Sequence, residues 1–252
     1  MRAVSSLAGK AALVTGGGTG IGAAIAETFA AAGASIAVTG RRPGPLSDVV
    51  ERIAAAGGSA VAAGADAADL GAMTSAVAVV LDRFGHLDIV VANAGIQPPR
   101  RPVLEYPPGL WREVLDVNLT GVWNTVKATV PALAERKGGS IIIIGSGMAR
   151  ANTGGSGAYS VAKAGVSALT RVLAVELRSA NIAVNELIPG PTRTPGAAGG
   201  GAGTDPEAER RWADLGEWLK EPAEVARLAL FVAGLPPHGP TGQVFSLAGR
   251  LL

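Results

Sequence analysis

Residues 11–32 read AALVTGGGTGIGAAIAETFAAA, and the order of residue types in this stretch decides the fold. Residues 11–15 are a short apolar run ending in Thr15, which reads as a buried strand. It opens directly on Gly16-Gly17-Gly18-Thr19-Gly20-Ile21-Gly22, and residues 21–32 read as a helix. Glycines there let the backbone turn tightly and approach a pyrophosphate, while a helix N-terminus offers unpaired N–H groups and partial positive charge. The spacing is Gly16-x-x-x-Gly20-x-Gly22, not the plain G-x-G-x-x-G, and in a chain with 36 glycines such a match alone carries little weight. The strand before it and the helix after it supply the rest, and together they predict a dinucleotide-binding turn.

The same alternation runs almost from end to end. Residues 35–39, 60–63, 89–92, 140–144, 183–187 and 244–247 read as further strands, and 45–56, 70–84, 110–136, 158–180 and 223–232 as further helices. Strand–helix alternation at this spacing predicts a parallel sheet, because right-handed crossovers place helices on both faces. The expected fold is α/β, a doubly wound Rossmann-type sheet of about seven strands. The expected organisation is a single domain over residues 1–252, with a mobile substrate flap at 195–219 that includes the glycine- and alanine-rich run 196–203.

Charge is nearly balanced at +2, and no Lys/Arg block is dense enough to argue for nucleic acid. Cysteine is absent, so disulfides and thiolate metal sites are excluded, and His86 and His238 read as loop or surface residues rather than ligands. No metal is expected. No apolar run approaches the ~20 residues that span a bilayer, and the expectation is a soluble, cytoplasmic protein without membrane contact.

Tyr159-Ser160-Val161-Ala162-Lys163 is the second informative stretch, with Ser146 thirteen positions before the tyrosine. Helical residues four apart lie on one face, so the phenol and the ammonium can share a site. A phenol titrates near ~10, and a neighbouring cation lowers that value toward neutral pH. Ser146 follows four isoleucines, 141–144, and falls at the end of a buried strand where its hydroxyl can hydrogen-bond a substrate oxygen. The three together suggest carbonyl and alcohol chemistry.

Thr15-Gly16-x-x-x-Gly20-x-Gly22, Asn93-Ala94-Gly95, Asn118, Ser146, Tyr159, Lys163 and Pro189-Gly190, in this order, resemble the short-chain dehydrogenase/reductase family, over residues 7–247. The likeness extends to its 3-oxoacyl-carrier-protein reductases and its ketone and alcohol enzymes. It implies a nicotinamide-dependent oxidoreductase in which Tyr159 is the general acid/base, Ser146 positions the carbonyl, and Lys163 holds the ribose hydroxyls and depresses the Tyr159 pKa. Asn118 would bend the long helix and hold a water linking Lys163 to solvent. Gly16, Gly18, Thr19, Gly20, Ile21 and Gly22 would hold the pyrophosphate. Asn93, Ala94 and Gly95 would shape the adenosine side, with Asp66 beside the adenine. Pro189, Gly190, Thr192 and Thr194 would complete the cofactor site, Thr194 at the nicotinamide carboxamide. Blander roles stay open for two of these: Asn93 tying strands together and Asp66 capping a turn.

After the second strand the chain reads Thr39-Gly40-Arg41-Arg42. An NAD site calls for an acid there to accept from the ribose 2′-hydroxyl, whereas a guanidinium grips a 2′-phosphate. Gly40 stands where the acid would be and Arg41 and Arg42 follow, so NADP is expected over NAD; the alternative is two solvated arginines and no preference. Gln97, Met148, Asn152, Thr153 and Trp212, with Ser146 and Tyr159, are expected to border the substrate. They offer no basic anchor, which favours a neutral ketone or secondary alcohol, including sugars and cyclic alcohols. A carrier-protein reductase is the alternative; Pro131 and Val175 stand where that group is expected to carry arginines. A catalytically silent cofactor-binding regulator is a second, though it has no need of all four catalytic residues. The resemblance also implies a homotetramer, or a dimer, built on helices 110–136 and 158–180.

Overall fold

The computed structural model describes residues 6–150, 154–194, 210, 212–214 and 216–249. Strands and helices alternate as β1 (Ala11–Thr15), α1 (Gly20–Ala31), β2 (Ser35–Thr39), α2 (Pro43–Ala55), β3 (Ser59–Ala62), α3 (Leu70–Phe84), β4 (Ile89–Ala92), α4 (Pro108–Leu115), α5 (Gly121–Glu135), β5 (Gly139–Ile144), α6 (Gly157–Glu176), β6 (Ile182–Ile188), α7 (Pro222–Ala233) and β7 (Val244–Ser246). All seven strands pair in parallel in the order β3-β2-β1-β4-β5-β6-β7, the doubly wound sheet expected. The direction of winding reverses between β1 and β4, and a crevice opens there at the carboxyl ends of the strands.

Side chains alternate between two cores. Ala12, Val14, Ile36, Val38, Ile142 and Ile144 pack with Ile25 and Phe29 of α1, Leu46 and Val49 of α2, and Val225 of α7. Leu13, Ala37, Val90, Ile141, Ile143 and Val184 pack on the other face with Met73 of α3, Val126 of α5, and Val166 and Leu173 of α6. Because both faces are covered, the central strands read as unbroken apolar runs. Each fully buried isoleucine or leucine contributes about 1.5–3 kcal/mol by leaving water.

Element ends follow local chemistry. Asp69 caps α3 by accepting the Ala72 N–H at 3.1 Å, and Gly85, left-handed at φ 78°, closes it. Glu221 and Glu224 form a reciprocal capping box around Pro222 at the start of α7. The long helix read over 110–136 is interrupted where the bend at Asn118 is expected: α4 stops at Leu115, and Asp116–Thr120 form a wider π-helical turn before α5. The cause is Asn118, whose Nδ2 donates to the Val114 and Ile96 carbonyls, both at 2.9 Å, so that a side chain enters the backbone ladder. Likewise α6 ends at Glu176, and a short 3-10 turn, Arg178–Ala180, leads to Asn181 at φ 57°. Residues 195–209, 211 and 215, which make up most of the expected flap, lie outside the described residues, as do Asn152 and Thr153. Among the described residues no helix is long and apolar enough to cross a membrane.

Candidate active site

The glycine-rich loop is shaped from its neighbours. Thr15 Oγ1 accepts the N–H groups of Asn93 and Ala94, each at 3.0 Å, and Asn93 Nδ2 donates to the Thr15 and Gly16 carbonyls at 2.8 and 3.3 Å. Gly17 N–H donates to the Thr39 carbonyl at 3.1 Å, which ties the loop to β2 as well. Gly16 and Gly20 are left-handed at φ 63° and 55°, a conformation glycine adopts without strain. A Cβ at Gly22 would collide with the Gly16 carbonyl oxygen and stand 2.6 Å from Asn93 Nδ2, so this glycine lets α1 close against the loop. No acid occupies the first turn of α1, whose N–H groups stay available to an anion.

A cavity of about 650 Å³ runs along the carboxyl ends of the strands. By strand order it passes from Arg41 and Arg42 after β2, across Gly16, Gly18, Thr19, Gly20 and Ile21 after β1, to Asn93, Ala94 and Gly95 after β4. It continues to Asn118, Ser146, Tyr159 and Lys163 and ends among Pro189, Gly190, Thr192, Thr194 and Trp212. Asp66, Gln97 and Met148 line it too, so every residue expected from the sequence at a described position is brought together except Gly22, which packs behind the loop. Both blander roles are met alongside: Asn93 ties β1 to β4, and Asp66 Oδ1 accepts the Ala68 N–H at 3.0 Å in a turn. Arg41 and Arg42 are exposed, and a Cβ at Gly40 would meet only Leu46 Cδ2, at 3.6 Å, so that position has room for a side chain. Arg100, an exposed basic residue that the sequence reading does not include, also lines the cavity.

Ser146 is extended, at φ −160° and ψ 145°, and accepts the Met148 N–H at 3.2 Å, which caps a short 3-10 turn. Tyr159 sits in the first turn of α6 and hydrogen-bonds Ser146. One turn on, the buried Lys163 donates from Nζ to the Ile144 carbonyl at 2.7 Å, with Nζ 5.8 Å from the Tyr159 ring centre. Burial raises the Tyr159 pKa above its ordinary value, and the Ser146 hydrogen bond only partly opposes this. That corrects the expected depression by Lys163: the ammonium is aimed at a backbone carbonyl, and loss of water dominates. Burial also lowers Lys163 to about 8, against the charge of Glu186, which favours the ammonium.

Asn118 is fully buried and bolts the loop after β4 to the π-helical turn, its Oδ1 accepting the Ile96 N–H at 3.1 Å. A Cβ at Gly95 would stand 2.7 Å from that oxygen, so glycine is required for this contact. Beyond β6, the Arg193 N–H donates to the Lys220 carbonyl at 2.9 Å and the Lys220 N–H to the Pro191 carbonyl at 3.0 Å, which stitches the far wall of the cavity. Among the groups near the site that escape the sequence reading is Glu186, buried in β6, with Ser167 Oγ 2.8 and 2.7 Å from its two carboxylate oxygens. Its signal is an acid in the middle of the otherwise strand-like IAVNELI, residues 182–188.

The family model for short chain dehydrogenase matches residues 10–202. A curated relative, the (-)-trans-carveol dehydrogenase of Rhodococcus erythropolis, is 42% identical over 132 residues, 52% of this chain and 48% of that one, so the match spans about half the relative's length. The 3-oxoacyl-[acyl-carrier-protein] reductase of Thermotoga maritima is 32% identical over 98% of this chain and 99% of its own. Among solved structures, a candidate NAD(P)-dependent gluconate 5-dehydrogenase from Beutenbergia cavernae, with NADP bound at low occupancy, aligns with a TM-score of 0.88 and 37% identity over 97% of both chains.

Proposed function

Because the chain belongs to the short-chain dehydrogenase family, we propose that it is an oxidoreductase moving hydride between a nicotinamide dinucleotide and a carbonyl or secondary alcohol. The observation that carries this reading is the convergence of Ser146, Tyr159 and Lys163 on one wall of a cavity that also holds the glycine-rich loop. The residues present fit the dinucleotide: glycines at positions where a Cβ would crowd the loop, and an acid-free helix N-terminus for the pyrophosphate. Bound nicotinamide would supply or accept the hydride. Tyr159 gives a proton to the developing alkoxide in reduction and takes it back in oxidation. Ser146 orients the carbonyl and stabilises its growing negative charge. Lys163 holds the ribose side of the cofactor, and Asn118 keeps the loop after β4 in place beneath it.

Arg41 and Arg42 support NADP as the preferred cofactor, although solved relatives carry NADP in one case and NAD in another. One charged hydrogen bond is worth about 1.5–3 kcal/mol, or roughly ten- to a hundredfold in Kd. Titration of both cofactors tests this: Arg41→Ala should weaken NADPH alone, and Gly40→Asp, for which there is room, should reverse the preference. Equal wild-type affinities would sink the NADP reading.

The substrate reading is a neutral ketone or secondary alcohol, cyclic alcohols and sugars included. A second reading, a hydroxy acid, is favoured by Arg100 in the cavity and by the gluconate named for the Beutenbergia relative. A panel of cyclic alcohols, sugars, hydroxy acids and 3-oxoacyl thioesters, assayed with both cofactors, separates these. Hydroxy-acid turnover that collapses in Arg100→Ala would select the second; no turnover beside tight cofactor binding would point to a silent regulator.

A further inference from the structure

A strand covered on both faces should carry apolar side chains throughout, yet β6 carries a carboxylate that is 1% exposed. By strand alternation Glu186 shares its face with Ile182 and Val184, which pack with Val166 and Leu173 of α6. On that helix Lys163 and Ser167 lie four residues apart, one above the other. Ser167 Oγ is 2.8 and 2.7 Å from the two carboxylate oxygens, and Lys163 Nζ is held at 2.7 Å by the Ile144 carbonyl. The neighbouring strand leaves the space: a Cβ at Gly145 would collide with Glu186 Oε1 and stand 2.7 Å from its Cγ and Cδ. Ser167 alone does not explain an acid here, since a buried neutral amide could bond it without the cost of taking an unpaired charge out of water.

We infer that Glu186 is a positioning residue for Lys163: a fixed counter-charge, clamped by Ser167 in the slot left by Gly145, that keeps the ammonium protonated at the cavity wall. This rests on the role given to Lys163 above. The groups around the ammonium are Glu186 from β6, the Tyr159 phenol from α6 and the Ile144 carbonyl of β5; of these, Glu186 favours the positive charge electrostatically. Lys163 then keeps its proton near neutral pH although it is buried.

The test is a pH titration of the cofactor-free protein by NMR with lysine labelled at 13Cε. The chain has five lysines, and the Lys163 signal is the one lost in Lys163→Met. In Glu186→Gln, Lys163 should titrate lower by about one unit or more. In Glu186→Asp, which keeps the charge, most of that shift should be undone. The pH profile of kcat/KM should move in step, whereas a merely structural loss would lower Tm and leave the profile in place. A Lys163 titration unchanged in folded Glu186→Gln overturns the inference. Should that variant not fold, the pair Lys163→Met/Glu186→Gln decides: with both charges gone it should recover folding, and a pair no more stable than Glu186→Gln alone also overturns it. Because the titration needs neither substrate nor cofactor, an enzyme reading that fails for want of any turnover is told apart from failure of the charge pairing.

Discussion

Burial acts on Tyr159 and Lys163 in the same sense, disfavouring the charge each would carry, and for Lys163 this gives stability a pH dependence of defined sign. The folded lysine titrates at about 8 and an unfolded one near ~10.4, so between these values the unfolded chain binds more protons and folding gains as pH rises. Relative to Lys163→Met, the wild type should gain on the order of 3 kcal/mol across that window, read by denaturant unfolding at a series of pH values; a flat difference would contradict the burial. Asp88, at the opposite end of the strands and 4% exposed, shows the reverse sign. Burial raises its pKa, but the Ala11 N–H, Lys10 and Arg136 outweigh this and hold the carboxyl below its ordinary value. Its contribution is therefore present above the unfolded value of about 3.9 and is lost as pH falls through the folded one. Asp88→Asn should cost about 1–2 kcal/mol at neutral pH, since Lys10 and Arg136 stay half exposed to water, and the gap to wild type should narrow on acidification below about pH 4. Ser146, Tyr159, Lys163 and the loop glycines are legible in the sequence because residue type and short spacing carry their chemistry. Glu186 and Arg100 are not: one is placed by the β5–β6 register and the docking of α6, the other by how the loop after β4 folds back, and neither is a local property.

At the scale of elements, strand ends are legible to within about a residue because covered strands are short apolar runs with sharp borders. The interruption of helix 110–136 is legible only through the resemblance, which places a bend at Asn118, since periodicity does not report a π-helical turn made by one buried asparagine side chain reaching into another loop. A tight local fit joins α1 to the loop before it. Gly22→Ala would drive a methyl into the Gly16 carbonyl and Asn93, so it should lower stability by about 1–3 kcal/mol and weaken cofactor binding at least tenfold. Gly44, in the first turn of α2, meets nothing beyond its chain neighbours, but Pro45 follows it and a Cβ before proline is disfavoured in helical geometry, so the propensity gain of Gly44→Ala, up to about 1 kcal/mol, should be largely offset and stability should stay close to wild type. Melting curves with and without cofactor check both; a Gly22→Ala protein that binds like wild type would refute the packing role.

For the whole molecule, the parallel, doubly wound sheet follows from the strand–helix alternation, while most of the expected flap falls outside the described residues. Trp123 of α5 and Val161, Val172 and Val175 of α6 are 43, 49, 51 and 71% exposed, apolar surface on the two helices proposed to join subunits. Light scattering should find a dimer or tetramer that Val172→Glu with Val175→Glu dissociates; a stable wild-type monomer at micromolar concentration would refute the assembly. In the proposed mechanism hydride transfer depends on Tyr159 as its acid/base, and Tyr159→Phe, assayed on the best substrate of the panel, probes that dependence with the loss of a single oxygen. The expected outcome is a fall in kcat of about 10²–10⁴-fold with cofactor Kd nearly unchanged. A variant that keeps most of the wild-type kcat would remove Tyr159 from the chemistry and with it the proposed mechanism.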